Sequence, residues 1–324
     1  MRFATFLLQG RQTYGVATED GRLLDLAPPV ARAGRTPRTL LDLIRAGREG
    51  LIDAEKALRQ APPGDLIDPG TVTWLPPLIP GKICGVALNN SASNARKISA
   101  PDHPAFFLKP PSCLVGHLQP LLMRRYYGSM HPEPELAVIV GRTMRDVHAV
   151  DALNHVFAYS IMNDITGNDM RGEDLFHYYA LYADDSQAGG LARREQHLSY
   201  AGRYKGSDCF GVLGPWLVTP DEVPDPDDLA VTCRVAGELV AEDSTRYYNY
   251  KVAEILSYIS QFQTLSPGDV VSCGTAFKPS QNRKSIHHAN LLKVGGPVEI
   301  EIQHLGRQCN PVIVEDREIG KWKL

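Results

Sequence analysis

The sequence predicts an α+β protein that is rich in strands and poor in helices. Two observations carry the prediction. First, seven segments, "KICGVAL", "ELAVIVG", "HVFAYSIMND", "GPWLVT", "LAVTCRVAG", "DVVSCGT" and "PVEIEIQHLG", combine β-branched and aromatic residues and are separated by turn residues. Second, the same stretch holds one convincing helix, "NYKVAEILSYISQFQTL", in which Val252, Ile255, Leu256, Ile259 and Phe262 fall on one face and "LSPGD" supplies the stop. Irregularly spaced strands with few helices between them do not build a doubly wound parallel sheet.

The N-terminal stretch reads differently. "MRFATFLL" and "TYGVATED" are strand-like, with an Asp-Gly turn in "EDGRLLDL" placed between them. "PRTLLDLIRAGREGLIDAEKALRQ" repeats apolar residues at helical spacing, with a break near Gly47 and Gly50. "APPGDLIDPG" and "LPPLIPGK" are Pro/Gly punctuation. We therefore expect a small N-terminal α+β domain over residues 1–75 and the main domain over 76–324.

Composition narrows the function. Lys plus Arg number 34 and Asp plus Glu 37, a net charge of −3, which argues against a general nucleic-acid binder. No run approaches the ~18 apolar residues of a membrane span, and the N-terminus lacks a signal-peptide core, so a cytoplasmic protein is expected. The six cysteines are widely spaced and form no CxxC pair, which reads as reduced thiols. GxGxxG after a strand, a Walker GxxxxGK, HExxH and GxSxG are all missing from the sequence.

The chemistry-bearing feature is "HPEPELAVIV". Glu133 and Glu135 stand two apart at the head of an apolar strand, so period two puts both carboxylates on one face. Like charges that close persist if water bathes them or a cation neutralises them, and a hard ion such as Mg²⁺ or Mn²⁺ suits oxygen ligands. An exposed acidic strand edge is the competing reading. Asp164 ends the apolar run "VFAYSIMND" and would supply a third carboxylate, although a turn starter or helix cap explains it equally well. His131, beside the pair, is expected outside the ligand shell.

Taken in order, "GKICGVALNN", "PAFFLKPP", "HPEPELAVIVGR", "YSIMNDIT", "KGSDCFGVLGPWLVTPDEV", "LSPGDVVSCGTA" and "VEIEIQHLGRQCNPV" resemble the fumarylacetoacetate hydrolase family over about residues 80–315. The resemblance implies a mixed β-roll catalytic domain, a homodimer, and Mg²⁺ or Mn²⁺ (Ca²⁺ in some members) held at Glu133, Glu135 and Asp164. It implies that Lys205 of K-G-x-D acts at the substrate site, that Thr275 of "CGTA" lines it, and that Lys109 of F-L-K-P belongs to the same region. It also implies a small 2-oxo or 2,4-dioxo acid as substrate, converted through an enolate that the cation stabilises.

The departures from the family pattern are informative. Hydrolytic members carry G-x-N-Y-x-x-H-x-x-E after the first strand of the domain, and its His and Glu activate water. In "GVALNNSASNAR", Ser93 falls at the His position and Arg96 at the Glu position. Asn168 replaces an Arg, and Arg171 stands where Gln is usual. His287 and His288 of "KSIHHAN" are candidate replacement bases, with His103 a weaker one; Arg96 and Arg171 are candidates to bind a second carboxylate of the substrate. The commonest family activity favours C–C bond hydrolysis in aromatic or related catabolism. The missing dyad favours a decarboxylase, isomerase or hydratase. A non-catalytic keto-acid binder is the reading from another class, and a full chelating set speaks against it.

Overall fold

The computed structural model describes residues 1–27, 38–91, 94, 97–275 and 289–316. It is the strand-rich α+β fold that the sequence predicts. Its main sheet has 13 strands, and the antiparallel strands Pro134–Val140 and Val156–Asp164 lie at its centre. Every residue from Pro134 to Val140 and from Phe157 to Asp164 is buried, as continuous apolar runs require when both faces of a sheet are covered.

Strand alternation sorts these residues between two cores. Leu136, Val138, Val140, Tyr159 and Ile161 face the core that also takes Val252, Ile255, Leu256 and Ile259 of the helix Val252–Phe262. Ala137, Ile139, Ala158 and Met162 face the other, with Phe3, Leu40, Leu43 and Ile44. Phe262, expected on the buried helix face, is instead 63% exposed. It sits in the last turn, where the chain leaves the helix at Gln263 and its ring leans on Tyr258.

The N-terminal strand Arg2–Leu8 pairs with Leu217–Val218 and so joins the central sheet, and Phe3, Leu40, Leu43 and Ile44 share a core with it. Arg2–Leu8 and Arg11–Ala17 are joined by Gln9-Gly10, both at positive φ. The Asp20-Gly21 turn expected between them closes the following pair instead, Arg11–Ala17 with Leu23–Asp25. The helical stretch is two helices, Leu40–Ala46 and Arg48–Gln60, parted at Gly47. Thr39 and Asp42 cap the first reciprocally.

Among the described residues four smaller sheets accompany the main one, and two of them matter here. Four strands, Glu238–Ser244, Ala230–Val235, Val298–Ile302 and Gly306–Asn310, form one. The other is a two-stranded ribbon, Leu175–Ala183 with Leu191–Ser199, that the sequence does not announce. The six cysteines are free thiols, five of them buried. Among the described residues no helix is long and apolar enough to cross a membrane.

Candidate active site

Glu133, Glu135 and Asp164 meet where the two central strands begin and end. Pro134 pairs with Asn163 and Glu135 with Met162, which brings the head of one strand beside the tail of the other. The Asp164 amide donates to the Glu133 carbonyl at 2.9 Å, and the Glu133 amide donates to Asn163 Oδ1 at 3.0 Å. One carboxylate oxygen from each of the three residues lies within 4.8 Å of the others.

Glu135 is held by the neighbouring strand Val270–Thr275. Pairing shifts there: Glu135 opposes Thr275 and Ala137 opposes Ser272, so the partner strand carries an extra residue. The bulge aims three donors at one carboxylate: Ser272 Oγ at 2.5 Å, the Gly274 amide at 3.1 Å and Thr275 Oγ1 at 3.3 Å. Gly274 takes φ +91, and a Cβ there would lie 2.9 Å from the Val86 carbonyl oxygen, so both conformation and space demand glycine. Asn89 and Asn90 tie down the same corner, donating to the carbonyls of Cys273 and Thr275 at 2.9 and 3.2 Å.

Glu133 is oriented by His131. The imidazole is fully buried, with Nε2 3.0 Å from Glu133 Oε1 and Nδ1 2.9 Å from Asn168 Nδ2. The Asn168 amide donates, so Nδ1 accepts and Nε2 carries the proton that it gives to Glu133. His131 thus positions a carboxylate, as partners of metal ligands do. Asn168 is what fixes the tautomer.

Two lysines enter the cluster. Lys205 Nζ lies 2.7 Å from Glu133 Oε2 and 2.5 Å from Asp164 Oδ2, and 5.2 Å from the centre of the Phe107 ring. Lys109 Nζ donates to Asp164 Oδ1 at 2.6 Å, to the Phe210 carbonyl at 3.1 Å and to the carbonyl of Lys205. Three acceptors use all three of its protons, and its side chain is wholly buried. Lys109 therefore holds Asp164 in place.

The charges balance only while Glu135 keeps its proton. Burial, with the carboxylates of Asp164 and Glu133 close by, pushes Glu135 up to about 8. Burial also opposes ionisation of Glu133, but Lys205 and the hydrogen bond from His131 outweigh it and hold Glu133 well below the usual range. For Lys205 burial works against the ammonium, and the attraction of Asp164, Glu133 and Glu135 prevails and raises it. Once Glu135 ionises, three carboxylates face two ammoniums, which leaves a negative charge in a buried site. The donor set of three oxygen ligands and that residual charge fit a hard divalent cation.

The remaining candidates stand apart or out of view. Thr275 is at the cluster, buried, with its hydroxyl toward Glu135. Arg171 is exposed on the short helix Asn168–Glu173. His103 stacks on Tyr258, with Nδ1 2.8 Å from its hydroxyl. Ser93, Arg96, His287 and His288 lie outside the described residues. Sequence reasoning missed Ser272, Gly274 and Asn163. Their only signal is position, flanking Thr275 and Asp164 at strand ends.

Comparison with known proteins matches residues 82–313 to the family model for the fumarylacetoacetate (FAA) hydrolase C-terminal domain. The chain is 30% identical over 279 residues to a mitochondrial oxaloacetate tautomerase of Homo sapiens, covering 86% of this chain and 80% of that one. It is 28% identical over its whole length to the 2,4-didehydro-3-deoxy-L-rhamnonate hydrolase of a Sphingomonas strain, covering 97% of that protein. Among solved structures, a fumarylacetoacetate hydrolase from Exiguobacterium antarcticum aligns over 97% of this chain and 100% of its own, with a TM-score of 0.73 and 29% identity. A maleylpyruvate hydrolase from a Sphingobium species, crystallised with manganese(II) and pyruvate, aligns over 97% of this chain and 99% of its own, with a TM-score of 0.69 and 26% identity.

Proposed function

The chain belongs to the fumarylacetoacetate hydrolase family of enzymes, and from that premise we propose that it converts a 2-oxo or 2,4-dioxo acid through its enolate, with keto–enol proton transfer as the reaction this site serves best. One observation carries the choice. The sequence has Ser93 and Arg96 where hydrolytic members have the water-activating His and Glu, and His131 is committed to Glu133 and Asn168. Tautomerisation moves a proton between C3 and the 2-oxygen and breaks no carbon–carbon bond, so it needs no activated water. Hydrolysis does.

Glu133, Glu135 and Asp164 would hold Mg²⁺ or Mn²⁺, with the Ca²⁺ of some members also compatible with all-oxygen ligation. Such an ion, when bound, supplies Lewis-acid polarisation of the substrate's keto and carboxylate oxygens. The chain's own residues do the rest. Lys205 sets a fixed positive charge beside Glu133 and Asp164, where negative charge grows on the 2-oxygen, and Phe107 shields one side of it from water. Lys109, His131 and the Ser272–Thr275 donors keep the three carboxylates from rearranging. The Thr275 hydroxyl lies at the same corner, on Glu135.

C–C hydrolysis of a 2,4-dioxo acid is the second reading, favoured by the match to a hydrolase along the entire chain. His287 or His288 would then be the base. The test follows deuterium exchange at C3 of oxaloacetate and cleavage of an acylpyruvate side by side, with Mn²⁺ present. Rapid exchange with slow cleavage is the expected result. Rapid cleavage lost in His287→Ala/His288→Ala establishes the second reading, and rapid cleavage kept in that variant overturns both assignments of the base. We also propose a homodimer. A scattering mass near twice 35.7 kDa is expected, and a mass near 35.7 kDa at micromolar concentration overturns it.

A further inference from the structure

We propose that the exposed β-ribbon carries a second metal site, His177, Glu195 and His197, that takes a borderline transition-metal dication such as Zn²⁺. Strands Leu175–Ala183 and Leu191–Ser199 pair residue for residue, and His177 lies directly opposite His197. Glu195 is two residues along from His197, on the same face. The two imidazoles stack with centroids 4.1 Å apart and planes 13° from parallel. The Glu195 carboxylate hydrogen-bonds His177 Nε2 and lies 3.8 Å from His197 Nε2. One donor atom of each residue falls within 4.8 Å of the others. Donors bound tetrahedrally at ~2.0–2.1 Å sit ~3.3 Å apart, so small side-chain rotations complete the site.

The donor set differs in kind from the carboxylate cluster of the active site. Two imidazole nitrogens and one carboxylate suit Zn²⁺ and its neighbours, whereas three carboxylates suit Mg²⁺ and Mn²⁺. Three protein ligands leave a fourth position for water. The ribbon also has a structural use for the ion. A two-stranded ribbon alone is marginal in water, and this one leaves Phe176, Tyr179 and Leu181 at least 58% exposed. An ion ligated from both strands cross-links them. The ribbon lies in the chain between Asp164 and Lys205, so the cross-link shortens the free connection between two residues of the active site.

The experiment titrates full-length protein with Zn²⁺ against a chromophoric chelator in excess Mg²⁺. Wild type and Glu135→Gln are compared with His177→Asn/His197→Asn. Wild type and Glu135→Gln should each retain one tightly held Zn²⁺ per chain on the ribbon. The histidine variant should bind it weaker by more than the ~10–100-fold that loss of an outer-shell partner costs. Its Mg²⁺-dependent turnover should match wild type, which also reports that it folds. Co²⁺ should give the visible absorption of a tetrahedral ion in wild type and Glu135→Gln only. Hydrogen exchange of residues 175–199 should slow with Zn²⁺ in the same two proteins. Equal Zn²⁺ uptake by the histidine variant, or none by Glu135→Gln, overturns the proposal.

Discussion

The Lys205 ammonium lies 2.5 Å from Asp164 Oδ2, inside the cluster of acids. It is thus part of the charge balance of the site. Removing it should separate two effects. Lys205→Met leaves three carboxylates with one ammonium fewer, so Mn²⁺ should bind at least as tightly as to wild type. Turnover should fall by ~10²–10³-fold, the usual loss when one preorganised charge at a developing oxyanion is deleted. Calorimetry and steady-state kinetics on the same preparation check both. Weakened Mn²⁺ binding would show that Lys205 organises the acids instead of competing for them.

Lys109 predicts the opposite pattern. Its ammonium satisfies Asp164 and two buried carbonyls, and the side chain has no exposure. Lys109→Met strands a buried carboxylate and two acceptors, and breaking a buried pair from one side costs ~3–5 kcal/mol. Urea unfolding of the cation-free protein should show a loss of that size. A Lys109→Met protein as stable as wild type would mean that Asp164 finds another partner.

Glu135→Gln should split stability from function. Glu135 is the acid most strained by its neighbours, pushed up to about 8 by burial and by the Asp164 and Glu133 carboxylates. A neutral amide of the same shape stands in for the protonated acid, so the cation-free protein should melt no lower than wild type at neutral pH. Mn²⁺ affinity should fall by ~100-fold or more and turnover with it, because one of three anionic ligands is gone. Thermal melts with and without Mn²⁺ decide it. The cation should raise the melting temperature of wild type and leave that of the variant unmoved.

Much of the site was legible because its signals are local. An E-x-E at the head of an apolar run fixes two carboxylates on one face by strand period alone, and an acid closing a second apolar run marks a strand end. The partners of those acids were not legible. Ser272 and Gly274 reach Glu135 through a bulge whose register depends on how two distant strands pair. Asn168 reads as a lost Arg until its amide is seen on His131. Lys109 and Lys205 look alike in sequence, each in a short motif. Only tertiary packing shows that one is saturated by protein acceptors and the other sits between two acids. In the fold, strand patterns located the central elements, but nothing local says that Arg2–Leu8 docks beside Leu217–Val218. The ribbon escaped notice because its strands, with side chains exposed on both faces, lack the apolar alternation that marks a half-buried strand.

His117 gives the protein a specific acid sensitivity away from the active site. Its Nδ1 accepts the Cys309 amide at 3.0 Å, and its ring meets Trp74 edge-on at 5.5 Å. Burial, with a smaller push from Arg307, lowers it to about 4 from the usual 6.5. The folded chain therefore keeps this imidazole neutral, while the unfolded chain protonates it first as pH falls. Its contribution is whole above about 6.5, declines at up to ~1.4 kcal/mol per pH unit for one proton, and levels off below about 4. Acidic residues titrate in the same window, so the difference between wild type and His117→Gln isolates the histidine. Urea unfolding from pH 7.5 to 4.5 should show wild type losing stability faster, with the two curves converging as pH falls. Parallel curves would mean that His117 protonates equally in both states, and that the Cys309 amide does not hold it neutral.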